Sequence, residues 1–208
     1  TGGFPADRIV VIPNAADGTL YDPSLGEYVG FAGRISPEKN VPSLIAAARN
    51  NPEIAFKAAG ATDRMPDLPA QAPSNFEFLG HVSGSRMVDF YNSARMIVLC
   101  SIWFEGFPMV LVEAMLHGKA IVCSRIGGLP EIVEDGKTGL LFEPGNAEDL
   151  AEKVRYLWER PELCAKMGKA GREKALREYS QERYYERLMV CYEKAIAGKV
   201  TSPKNTKA

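Results

Sequence analysis

Short apolar runs alternate along the chain with stretches in which apolar residues recur at spacings of three and four. The runs at 28–32, 54–59, 76–79, 96–99, 120–124 and 140–142 are continuous rather than alternating, the pattern of strands buried on both faces. The stretches at 41–49, 86–93, 108–117 and 149–158 have helical period. Asn146 followed by Asp149 resembles an acidic variant of a capping box at the last of these. The repetition predicts an α/β fold: a doubly wound, Rossmann-like parallel sheet of about six strands with helices on both faces. Such a sheet binds its ligands outside the carboxyl ends of the strands. Gly33, Gly60 and Gly80 each close a strand at that edge, which fits either a tight turn or close approach of backbone to a ligand.

Residues 1–25, rich in proline and glycine, predict an interdomain linker that arrives from something upstream and carries one short strand at 9–12; the chain opens on Thr rather than Met. Residues 26–180 hold the alternating pattern and form the folded domain. Residues 181–198 predict a final helix with Tyr185, Leu188, Tyr192 and Ile196 in one apolar stripe, and 199–208 a polar tail. The stripe reads as core or interface packing rather than as a platform for bases.

With 208 residues, 46% of them apolar, there is material for a real core. The balance of 25 basic against 26 acidic residues provides no basic field for nucleic acid. The longest apolar stretch, 96–104, is too short to span a bilayer. Four cysteines without Cys-x-x-Cys spacing read as buried or incidental thiols in a reducing compartment. His81 and His117 are the only histidines, too few for a His-based metal site or a Ser/His/Asp triad. There is no Asp-x-Asp for a magnesium-bound diphosphate and no Gly-x-Gly-x-x-Gly after a strand. Gly136-Lys137-Thr138 imitates a Walker loop, but position 131, where the first glycine belongs, is Glu; 134–139 is read as a turn.

The informative chemistry lies in Glu105-Gly106-Phe107-Pro108-Met109-Val110-Leu111-Val112-Glu113. Pro108 predicts the first helical position, Gly106 a flexible approach, and the amides of Met109 and Val110 lack intrahelical partners. A helix start of this kind attracts phosphate. Glu105 precedes the turn, and Glu113 lies roughly 8 Å along the axis at about 1.5 Å per residue. A phosphate flanked by two hydroxyl acceptors describes a nucleotide sugar, although such a pair seen alone is more often two solvated carboxylates. Gly33 through Lys39 follows the first strand and places Arg34 and Lys39 on a loop at the ligand edge, a planar fork and a mobile point charge suited to a diphosphate. Gly127-Gly128-Leu129-Pro130-Glu131 sits at the same edge, where the glycine pair admits either a sugar or a plain turn into a short helix.

Taken together, these three motifs resemble the family 4, or group 1, retaining glycosyltransferases of two-domain GT-B architecture, and Ile12-Pro13-Asn14 resembles the link between that family's halves. The resemblance covers nearly the whole chain and implies the C-terminal, donor-binding half of a metal-independent enzyme. A nucleoside diphosphate sugar would be the donor substrate, with no cofactor. By the resemblance, Gly33, Arg34 and Lys39 meet the diphosphate, Glu113 the ribose, and backbone around His81 and Val82 the base. Glu105 and the amides of Gly106, Phe107, Met109 and Val110 meet the transferred sugar and its phosphates. Glu105, Arg34 and Lys39 are the expected catalytic residues, acting by electrostatics. The resemblance further implies that the last helix crosses to a missing acceptor half, through which any contact with a membrane would come; the fragment alone is expected to be inactive and cytoplasmic, at the cytoplasmic face of a membrane if it meets one, and open to self-association. A nucleotide-sugar epimerase of the same architecture and a non-catalytic binding or interaction module are the alternatives. The loop after Gly60 runs through Asp63 to Gln71 with prolines that depart from the family pattern.

Overall fold

In the computed structural model, residues 9–17, 21 and 23–200 are described. Strands β1 (Tyr28–Ala32), β2 (Ala55–Ala59), β3 (Phe76–Gly80), β4 (Ala94–Leu99), β5 (Ala120–Ser124) and β6 (Gly139–Phe142) form one sheet in the order β3-β2-β1-β4-β5-β6. Every pairing is parallel. Val29, Phe31, Ile97, Val98, Ile121 and Val122 have no exposed surface, which is why these runs carry no alternation.

Helices α1 (Val41–Arg49), α2 (Ser85–Ser93), α3 (Met109–Leu116), α4 (Leu129–Ile132), α5 (Ala147–Trp158), α6 (Pro161–Glu178) and α7 (Gln181–Val200) complete the chain. Helices cover both faces, α1 packing on α5 and α3 on α6. From β1 the chain steps to β2 and β3, then crosses back to β4 and on to β5 and β6. The direction therefore reverses between β1 and β4, and a doubly wound sheet opens its ligand crevice at such a point. The loops that leave β1 and β4 there are 33–40 and 100–108.

Asn146 caps α5 through Oδ1, which accepts from the N–H of Glu148 and Asp149 at 3.1 and 3.0 Å. The reciprocal half of the box goes elsewhere: Asp149 Oδ2 accepts from the N–H of Glu143 at 2.8 Å. The expected strand at 9–12 is not one; residues 9–17 are irregular, with Ile9, Val10 and Val11 at 50, 58 and 83% exposure. An apolar β-branched run becomes a strand only beside a partner edge, and this segment is tied instead by Ala16 N–H to the carbonyl of Tyr179 at 3.1 Å. Helix α6 has no counterpart in the sequence reading because Gly168 and Gly171 interrupt its pattern. A Cβ on Gly168 would lie 1.9 Å from the carbonyl oxygen of Gly118, so the helix rests on the loop before β5 only because that residue is glycine.

Asn51, fully buried, ties α1 to α5: its Nδ2 donates to the carbonyls of Ala47 and Ala151 at 2.8 and 3.3 Å, and its Oδ1 accepts from Arg155 Nε at 2.8 Å. The 134–139 segment is the expected turn, with the amides of Lys137 and Thr138 donating to the carbonyl of Glu134 at 3.0 and 2.9 Å. On α7, Tyr185, Tyr192 and Ile196 are 62, 55 and 64% exposed, so most of the predicted stripe is uncovered. The tail from 201 onward lies outside the described residues.

Cys100, Cys123 and Cys164 are buried, and Cys191 is partly exposed. Burial pushes the Cys100 thiol up to about 12 and that of Cys164 to about 11, so both stay protonated and unreactive at neutral pH. A thiol reagent at pH 7.5 is expected to modify Cys191 promptly and the other three only after unfolding; prompt modification of Cys100 in the native chain would contradict this packing.

Candidate functional site

The β1–α1 loop starts at Gly33, whose φ of +148° suits only glycine and whose N–H donates to the carbonyl of Ala59 at 3.0 Å. Pro37 opens a single 3₁₀ turn, Pro37–Lys39, which Asn40 ends with a left-handed φ of 51° before α1 begins. That sharp exit fixes where Lys39 points. The β4–α3 loop is sewn to it: Ile102 N–H donates to the carbonyl of Glu38 at 3.0 Å, and the Cys100 thiol donates to the carbonyls of Lys39 and Asn40 at 3.1 and 3.4 Å.

Across this seam Lys39 Nζ meets Glu105 Oε1 at 2.5 Å, the two side chains being only 15 and 18% exposed. The same oxygen accepts from the Ser101 hydroxyl at 2.7 Å. Glu105 Oε2 has no protein partner among the described residues. Arg34 keeps a loose contact with Glu38 at 3.8 Å and is 66% exposed, free to turn toward a ligand. Glu38 is held below the usual carboxylate range, chiefly by its own backbone amide and further by Arg34, so it stays charged. Arg34, Glu38 and Lys39 from one loop and Ile102, Trp103 and Glu105 from the other line a cleft of about 620 Å³.

Helix α3 follows the Glu105 loop and opens one residue later than the sequence pattern suggests; Gly106 and Phe107 line a separate recess with Gly128, Glu131 and Tyr179 rather than this cleft. Pro108 is the cap rather than the first helical residue: its ψ of 114° is extended, and the first turn closes from Leu111 N–H to its carbonyl at 3.1 Å. Proline's fixed φ suits either position, so pattern alone cannot separate them. The amides of Met109 and Val110 precede that first bond and have no acceptor among the described residues. No acidic side chain lies in the first turn, so the positive end of the helix dipole is uncompensated there.

The glycine pair, which the sequence left open between sugar contact and turn, packs on the Glu105 loop. Gly128 N–H donates to the carbonyl of Glu105 at 2.9 Å. A Cβ on Gly127, at φ +56°, would lie 2.8 Å from that same oxygen, and one on Gly128 2.4 Å from the carbonyl oxygen of Gly106. Gly106 itself is exposed and has nothing within 4 Å of a Cβ, while Phe107 packs edge-on against Tyr179 at 5.2 Å.

Not every expected residue joins the cleft. Glu113, half-buried on α3, is engaged by the Tyr91 hydroxyl at 2.8 Å and is not among the cleft's lining residues. His81 is exposed, whereas the Val82 side chain is buried and lines a separate recess of about 600 Å³ with Tyr28, Arg86 and Phe90. That recess lies against α2 and is lined by Lys57 and Arg86 together with Glu27 and Asp89, not by Arg34 or Lys39. Ser101 and Tyr91 were not singled out in the sequence. Ser101 had a weak signal, four positions before Glu105; Tyr91 had none, lying 22 residues from Glu113. Among the described residues no group of three His, Cys, Asp or Glu side chains could hold a metal ion, and no helix is long and apolar enough to cross a membrane.

Comparison with known proteins gives the family and the fold. The profile of the family described as "Glycosyl transferases group 1" matches residues 23–174. Alpha-maltose-1-phosphate synthase of Mycolicibacterium smegmatis is 30% identical over 93% of this chain and 59% of its own length. D-inositol 3-phosphate glycosyltransferase of Saccharomonospora viridis is 29% identical over 88% of this chain and 46% of its own. The chain thus spans about half the length of the curated relatives it matches. Among solved structures, Anabaena Alr3699/HepE in complex with UDP and glucose superposes with a TM-score of 0.83 at 24% identity, covering 92% of this chain and 59% of that one. The C-terminal domain of the group 1 glycosyl transferase LpcC from Francisella tularensis is matched over its whole length, and over 80% of this chain, with a TM-score of 0.67 at 23% identity.

Proposed function

Because the chain belongs to the group 1 glycosyltransferase family, we propose that it is the donor-binding half of a retaining, metal-independent glycosyltransferase. Such an enzyme moves a sugar from a nucleoside diphosphate sugar to an acceptor hydroxyl. The observation that carries the reading is the meeting in one cleft, at the β1–β4 reversal, of two cations, Arg34 and Lys39, with a carboxylate, Glu105, whose loop leads into the uncompensated start of α3.

Each part has a physical task. Departure of the diphosphate builds negative charge, and Arg34, Lys39 and the amides of Met109 and Val110 offset it where it develops. Lys39 already stands on Glu105, so an arriving phosphate shares a cation held in place rather than recruiting a free one. Glu105 positions the sugar and does not attack it: Lys39 and Ser101 both occupy Oε1 and draw off its electron density, leaving Oε2 to accept from a sugar hydroxyl. Glu113 takes the ribose, and backbone at His81 and Val82 the base. The UDP and glucose bound in the Anabaena protein support a donor of this class. The uncovered stripe of α7 suits a surface that packs on an acceptor-binding half.

A calorimetric panel of UDP-, GDP- and ADP-sugars tests the reading. One nucleotide series is expected to bind, with unchanged affinity in the presence of EDTA, since side-chain cations and a helix start already serve the phosphates. Binding abolished by EDTA and restored by magnesium would contradict the metal-free account.

A further inference from the structure

Tyr91 ends in a hydroxyl that donates to Glu113 Oε2 at 2.8 Å, although the residue itself is only 3% exposed. Its ring is clamped. It stacks on His117 with centroids 5.0 Å apart and planes at 20°, and meets Phe90 edge-on at 5.7 Å. His117 follows Glu113 by one turn of α3, its N–H bonded to the Glu113 carbonyl at 3.0 Å, and its Nδ1 lies 2.8 Å from Asn92 Oδ1 on α2. Tyr91 is thereby wedged along α3, hydroxyl at Glu113 and ring on His117. Glu113 Oε1, by contrast, has no protein partner among the described residues.

We propose that Tyr91 is a positioning residue for the donor site: its hydroxyl fixes one oxygen of Glu113 so that the other is presented to a ribose hydroxyl. The inference rests on the donor reading above and adds a residue to it. A free glutamate on a helix samples several rotamers, and holding it in one removes an entropic cost from each ligand bond it makes. A bond to an ionised acceptor is also stronger and more directional than one between neutral groups. Burial, and then the charge of Glu113, push the Tyr91 hydroxyl far above its ordinary value, so it remains a donor throughout the working range. The arrangement parallels Ser101 on Glu105, where a buried hydroxyl again occupies one carboxylate oxygen and leaves the other open.

The test compares Tyr91→Phe, which keeps the packed ring and deletes only the hydroxyl, with the wild-type 208-residue chain. The ligands are UDP, or GDP or ADP if either binds more tightly, and the matching 2′,3′-dideoxy nucleotide. Tyr91→Phe is expected to weaken the ribonucleotide about five- to tenfold and to leave the dideoxy analogue at its wild-type affinity. In a Glu113→Gln background the same change should add little, because the carboxylate it serves is gone. Wild-type affinity for both ligands in Tyr91→Phe, or equal weakening of both, would overturn the positioning role and leave the donor reading standing. A wild-type chain that binds none of the three nucleotides would overturn the donor reading, and the role of Tyr91 with it.

Discussion

Replacing Lys39 with alanine is expected to lower affinity for a nucleoside diphosphate by at least tenfold. Two effects point the same way. A charge-assisted contact to phosphate, worth about 1.5–3 kcal/mol, is lost. In addition Glu105, now without the cation that stands 2.5 Å from its Oε1, turns a bare carboxylate toward the incoming anion. The second effect separates Lys39 from Arg34, which is exposed and only loosely held, so Arg34→Ala should cost less. In Lys39→Ala/Glu105→Gln only the second part of the loss should return, because the unpaired charge is removed while the phosphate contact stays lost. Calorimetric titration of the four proteins with one nucleotide checks the order. Equal affinity in wild type and Lys39→Ala would remove the diphosphate role from this residue.

The second large effect is expected from Gly128→Val. Its Cβ would lie 2.4 Å from the carbonyl oxygen of Gly106, a backbone atom that cannot rotate away. Relief requires the Glu105 loop to shift, with loss of the Gly128 N–H bond to the Glu105 carbonyl. A cost of about 2–4 kcal/mol follows for overpacking against fixed backbone and a broken tertiary bond. Nucleotide-sugar binding should fall further than stability alone explains, since the displaced loop carries the carboxylate. Gly106→Ala is the control: its Cβ meets nothing within 4 Å, so urea midpoints near wild type are expected there. Similar midpoints for Gly128→Val and wild type would contradict the contact.

Which parts of this architecture were legible follows from what a one-dimensional pattern encodes. Strands β1 and β5 begin and end where their apolar runs do, because both are interior strands with every residue buried. Helix α1 is legible for a similar reason, its buried residues Val41, Leu44, Ile45 and Ala48 falling at helical spacing. Helix α6 was not, since Gly168 serves a contact with Gly118 that lies 50 residues away and leaves no local trace. The 9–12 run misled for the complementary reason: the composition suited a strand, but no partner edge reaches it. At the site, Lys39 and Glu105 could be singled out separately from strand-end loops and helix-start chemistry. Their contact joins residues 66 apart and needs the β1–β4 adjacency to appear. The glycine pair was ambiguous because the backbone it approaches belongs to another loop.

The most direct test of the central claim is an amide-resolved NMR titration of the ¹⁵N-labelled chain with the nucleoside diphosphate it binds best. The account predicts saturable shifts concentrated in residues 33–39 and 105–110, with the amides of Met109 and Val110 among the largest because they are free to donate. Gly118 and its neighbours, at the opposite edge of the sheet, should stay in place. Shifts concentrated around Gly118 and 166–169, with the 33–39 and 105–110 loops unmoved, would contradict a donor site at the β1–β4 reversal.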